Sequence, residues 1–80
     1  MDDWRINNQI DYLLRAKLLH TTFAKSSRSD HEHCEFCFLK FSNAAEDLHV
    51  GYCTLNQYYW ICEECFHDFK KKFEWSVVNE

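Results

Sequence analysis

The chain has 80 residues, enough for a single domain whose core is marginal at this size without a further support. Seven Phe, four Tyr and three Trp exclude a disordered tail, and no run of about 18 apolar residues offers a membrane span. The formal charge of −4, from nine basic and thirteen acidic residues, is opposite in sign to the balance that phosphate contacts demand.

In chain order, residues 3–20 are expected to form an amphipathic helix. Asp2 or Asp3 can cap it, and Ile6, Ile10, Leu13, Leu14 and Leu18 recur on one helical face. That face is expected to pack on the rest of the domain. The other reading is a dimerisation or docking face, which makes the chain a monomer or a weak dimer. From His20 to His33 the periodicity is lost, and Lys25–Ser29 read as a mobile surface connection that Phe23 tacks to the core.

Next comes the turn His33-Cys34-Glu35-Phe36-Cys37, in which backbone amides can donate to the first sulfur and Phe36, Phe38 and Phe41 are expected to shield one side. Residues 43–48 read as a loop or short helical turn. Residues 48–62 read as a β-hairpin with Asn56-Gln57 at its turn, because β-branched and aromatic residues dominate both arms. Gly51, the only glycine, predicts a bulge or a close approach of other atoms to the backbone. A second helix is expected over residues 63–75. Phe66, Phe69 and Phe73 line one face, Glu63 and Glu64 begin it, and Lys70, Lys71 and Lys72 come late, as the helix dipole favours. Residues 75–80 are expected to fray or pack loosely.

Two Cys-x-x-Cys pairs, Cys34–Cys37 and Cys62–Cys65, carry the strongest signal. Two intervening residues let one tight turn aim two sulfurs at one ion, and a second pair completes a tetrahedron of soft ligands, which suits Zn²⁺. One structural Zn²⁺ on Cys34, Cys37, Cys62 and Cys65 is the expected cofactor. Disulfides are disfavoured by the odd count of five cysteines, by the metal spacing, and by an acidic start, Met1-Asp2-Asp3, that lacks the form of a secretory signal. A reducing cytoplasm is therefore the expected location. Four thiolates on one Zn²⁺ add about −2 by formal counting, and residues 31–65 already carry Glu32, Glu35, Glu46, Asp47, Glu63 and Glu64 against Lys40 alone.

The order of metal turn, hairpin, and helix carrying the second pair resembles a treble-clef zinc finger over residues 31–75, preferred to the zinc-ribbon-like form. The wording His33-Cys34-Glu35-Phe36-Cys37 with Tyr59-Trp60-Ile61-Cys62-Glu63-Glu64-Cys65-Phe66-His67-Asp68-Phe69 is also similar to small uncharacterised bacterial zinc-binding proteins. The resemblance implies an α+β, zinc-stabilised domain with the N-terminal helix as an addition. It selects no activity, because treble clefs serve in nucleases, ribosomal proteins and protein- or lipid-binding domains.

Other candidates are weaker. Cys53 reads as a small buried strand residue; with His31, His33 and His49 it could instead form a second metal site, and His33 is the first candidate to replace a thiolate. Four thiolates close the coordination shell, and His49 and His67 do not match the His-Asn-His nuclease form, so no enzyme is expected. Lys70–Lys72, with Trp75 and Tyr58–Trp60, could meet nucleic acid; the plainer reading is a solvated helix end. The expected function is a non-catalytic module binding a protein partner as adaptor, regulator or inhibitor. Nucleic-acid binding is the first alternative and a thiol/zinc redox switch the second.

Overall fold

A computed structural model describes residues 4–6, 8–23 and 31–79. The expected cap at Asp2 or Asp3, the connection expected at Lys25–Ser29 and the end of the last segment at Glu80 lie outside the described residues.

The expected helix over residues 3–20 is corrected. Among its described residues only Ile10–Leu13 (α1) are α-helical, and the N-cap Gln9 makes no side-chain capping bond. Leu14 is already extended, and Arg15 turns the chain with φ 60° while its N–H bonds the Phe73 carbonyl at 2.7 Å. Lys17–Thr22 then form strand β1. The apolar residues that share a helical spacing are thus divided between elements. Leu13 and Leu18 are fully buried, one from α1 and one from β1, whereas Ile10 and Leu14 are exposed. Backbone pairing with distant strands outweighs the local period, and the β-branched Thr21 and Thr22 suit it.

Val50–Thr54 (β4) and Trp60–Ile61 (β5) form the predicted hairpin, with Tyr52 opposite Ile61 and Cys53 opposite Trp60. Asn56 organises its turn: its Oδ1 accepts from the Thr54 hydroxyl at 2.6 Å and from the Tyr58 N–H at 3.0 Å, and Gln57 takes φ 58°. Antiparallel to β4 lies β1, Leu19 facing Cys53 and Thr21 facing Gly51. Ser76–Val77 (β6) runs parallel to β1 and completes a four-stranded sheet of order β5-β4-β1-β6. Beyond β6 the Asn79 side chain continues the pairing, accepting from His20 N–H at 3.0 Å and donating to the His20 carbonyl at 2.9 Å. The expectation that residues 75–80 fray is therefore corrected for residues 75–79.

Glu32–His33 (β2) and Lys40–Phe41 (β3) make a second, two-stranded ribbon. Gly51 is needed where this ribbon meets the hairpin. A Cβ there would lie 2.7 Å from the Phe41 ring and 2.8 Å from the Ile61 carbonyl oxygen, so the predicted close approach is real. Glu63–Phe73 (α2) ends two residues earlier than expected, at Glu74 in the left-handed conformation. That reversal turns Trp75 inward, where its indole N–H donates to the Leu13 carbonyl at 2.8 Å. Cys65, Phe66, Phe69 and Phe73 form the buried face of α2. Tyr52 of β4 stacks on Phe66 with centroids 3.6 Å apart, so one aromatic stack joins sheet to helix.

Candidate metal centre

The first cysteine pair sits where β2 turns back to β3. The Cys34 N–H bonds the Leu39 carbonyl at 2.8 Å, and the Phe38 N–H bonds the Cys34 carbonyl at 3.1 Å. This tight reversal needs a left-handed residue, and Phe38 supplies it with φ 67°. One more bond, from Glu35 N–H to the Trp60 carbonyl at 2.9 Å, ties the turn to β5. The second pair opens α2. Cys62 is its N-cap, and its sulfur accepts the Cys65 N–H at 3.4 Å, doing what a Ser or Asp oxygen does in an ordinary helix cap. Cys65, one turn in, aims its sulfur the same way.

All four sulfurs lie within 4.8 Å of one another. Cys34, Cys62 and Cys65 are buried, and Cys37 is half-buried. Backbone N–H groups serve them unevenly. Cys34 receives two, from Phe36 and Cys62, each at 3.4 Å, so the predicted amide-to-sulfur bond is present. Cys65 receives the Arg5 guanidinium at 3.5 Å.

Without a cation the thiols of Cys34, Cys62 and Cys65 oppose one another. The Cys34 thiol is pulled down to about 4, first by its hydrogen bond with Cys62 and, against the cost of burial, by the N–H groups around it. The Cys62 thiol is driven up by that same bond and by burial. Burial, with the charge on Cys34, pushes Cys65 up to about 12. A thiolate at Cys34 thus discourages Cys62 and Cys65 from ionising, and a divalent cation among the sulfurs would offset that repulsion. Four sulfur donors at this spacing could hold a metal ion and suit zinc.

The N-terminal segment completes the surroundings in a way its sequence did not announce. Arg5 also bonds Asp68 at 3.0 Å and stacks over Phe69 at 4.5 Å. The buried Gln9 donates to the carbonyls of Arg5 and Glu35, each at 2.9 Å. Tyr12 donates to the Glu35 carboxylate at 2.8 Å; burial, countered by that bond, raises the Glu35 pKa. Apart from the bond from Gln9 to Arg5, these hydrogen bonds span 23 to 63 residues of chain, and no local pattern could have found them.

The remaining candidates fall elsewhere. Cys53 is buried in β4, outside the sulfur cluster, and burial pushes its thiol up to about 11. His49 bonds the Ala44 carbonyl at 2.8 Å, and His31 and His33 pack ring to ring. Among the described residues, the four cysteines are the one group of three or more Cys, His, Asp or Glu placed to share an ion. Phe36 and Phe41 are fully buried, but Phe38 is 61% exposed, which corrects its expected shielding role; the left-handed turn points it out. Lys70, Lys71 and Lys72 are exposed on α2, while Trp60 and Trp75 are core residues.

Comparison with protein-family models, with curated proteins and with solved structures finds no match to this chain. Among the described residues, no helix is long and apolar enough to cross a membrane.

Proposed function

We propose that Cys34, Cys37, Cys62 and Cys65 hold one structural Zn²⁺, and that the chain is a non-catalytic, cytoplasmic zinc module of treble-clef type that binds a protein partner. The observation that carries the metal reading is the closed donor set: four sulfurs within 4.8 Å, supplied by a knuckle and a helix N-terminus. Four protein ligands leave no position for a reacting water, which supports a structural ion over a catalytic one. The ion crosslinks elements that a core of this size holds only marginally.

Partner binding is supported by the surface beside the centre. Trp4, Phe38 and Leu39 are 71%, 61% and 51% exposed, and Glu32 and Glu64 stand near them with no ion pair among the described residues. Exposed aromatic side chains of this kind are common anchors at interfaces. Purified protein is expected to contain about one zinc per chain, and a metal-stripped protein that keeps its cooperative unfolding transition overturns the structural role. A pull-down from the native cell, with and without nuclease, tests the partner. A protein retained after nuclease supports the reading; retention that vanishes with nuclease and with rising salt transfers it to nucleic acid at Lys70–Lys72.

A further inference from the structure

We propose that Cys37 is the modification site of the centre: the sulfur attacked first by hydroperoxides and soft electrophiles, with Cys62 as the sulfur that resolves it and zinc as the ion released. The inference rests on the zinc reading above and adds which sulfur reacts, and with what.

Three independent features single out Cys37. It is the only one of the four cysteines that is not buried. It opens on a cleft of about 410 Å³ whose other walls are Trp4, Arg5, Leu39, Glu64 and Cys65, room enough for a small oxidant to reach the sulfur. And it is the only one of the four whose sulfur receives no N–H donor among the described residues. Cys34 takes the amides of Phe36 and Cys62, Cys62 takes that of Cys65, and Cys65 takes Arg5. A hydrogen bond to a thiolate draws charge from the sulfur, so the sulfur without one keeps the greatest nucleophilicity. Cys65, the other sulfur on the cleft, is covered by the guanidinium.

The resolving partner follows from distance. The Cys37 and Cys62 sulfurs are 3.6 Å apart, one on the knuckle and one on the helix cap. The Cys37 thiolate attacks one oxygen of the hydroperoxide. The O–O bond breaks, the departing oxygen leaves as hydroxide or alkoxide and takes a proton from water, and Cys37 becomes a sulfenic acid. The Cys62 thiolate then attacks the Cys37 sulfur. The S–O bond breaks, hydroxide leaves and is protonated, and a disulfide forms. Two electrons pass from the two sulfurs to the peroxide. The ion loses two of its four ligands and α2 loses its N-cap, so oxidation strikes metal and helix together. A dithiol such as dithiothreitol returns the two electrons and restores the pair.

The test uses the intact zinc-loaded protein, its metal content measured beforehand. N-ethylmaleimide in limited amount, followed by peptide mapping, is expected to label Cys37 at least about tenfold faster than Cys34, Cys53, Cys62 or Cys65. Hydrogen peroxide at low excess, followed with a chromophoric zinc chelator, is expected to release zinc in step with a Cys37–Cys62 disulfide and to be reversed by dithiothreitol. Leu39→Ala, which widens the cleft and leaves every ligand in place, is expected to speed both reactions severalfold. First labelling at another cysteine, or a disulfide that omits Cys37 or joins it to Cys65, overturns the assignment. Protein that carries no zinc overturns the function proposed above and the release step with it; protein that carries zinc but loses it without a Cys37 disulfide overturns this inference alone.

Discussion

Phe36 and Phe41 are both fully buried and both belong to the small ribbon at the metal end, yet different forces hold the rings around them. Phe36 stands between Cys34 and Cys37 and packs on Phe69, Phe73 and Trp75 at 4.9, 5.4 and 5.8 Å. Phe36, Phe69 and Phe73 are placed by the turn between the first two cysteines or by the helix that Cys62 caps, and Trp75 follows directly after the turn that ends that helix. Phe41 packs on Trp60 at 5.2 Å and on Phe23 at 6.3 Å, over the bare backbone of Gly51. Those rings are placed by strand ladders. One cluster depends on the sulfur centre for its alignment and the other on hydrogen-bonded register, so the two should respond differently when either support is removed.

The largest expected effect comes from Cys62→Ala, which takes away one sulfur and the side-chain cap of α2 together. Zinc affinity should fall by more than the roughly 10–100-fold typical of losing an outer-shell partner, measured by competition with a chelator. Nuclear magnetic resonance should show the Phe36 group losing its fixed ring shifts before the Phe41 group does. Equal loss in both would erase the distinction. Phe36→Ala comes next, at about 3–5 kcal/mol of unfolding free energy in a urea titration, because it empties a fully enclosed ring site. Gly51→Ala tests the ladder side. Its methyl would press on the Phe41 ring and on the Ile61 carbonyl, and the backbone partner cannot yield as a side chain can; a loss of about 1–3 kcal/mol is expected, with zinc stoichiometry unchanged. The smallest effect is a gain. Glu74→Gly relieves a left-handed residue at the end of α2 and forfeits only an exposed ion pair with Arg15, so stability should rise by a few tenths to about 1 kcal/mol.

The same division explains what could be read from the chain alone. The cysteine pairs, the hairpin and α2 were legible because each is declared within a dozen residues: Cys62 before Glu63 and Glu64, the Phe66–Phe69–Phe73 stripe, the strand-forming run around Tyr52, and Asn56 at the turn. The helix expected over residues 3–20 was a misreading for the complementary reason. Ile6, Ile10, Leu13, Leu14 and Leu18 do match a helical period, but Leu18 is buried by pairing with Thr54 and Val77, partners that no window around Leu18 contains. Trp75 was assigned to a loose end because its hydrogen bond to Leu13 crosses 62 residues. Arg5 and Gln9, which serve the metal corner from the other end of the chain, escaped notice on the same ground. Phe38 was placed inside by its apolarity, when the turn it belongs to required a left-handed residue that faces out.

The carboxamide of Asn79 has a consequence for solubility. An unpaired strand edge is a template for a second chain, and β1 at six residues is the longest strand described. Ser76 and Val77 cover part of its outer edge, and Asn79, using a side chain to imitate one more residue of ladder, covers His20 beyond them. Removing residues 76–79 would leave the metal centre its four sulfurs but uncover the backbone from Lys17 to His20. Such a protein should still bind zinc and should associate edge to edge in proportion to its concentration.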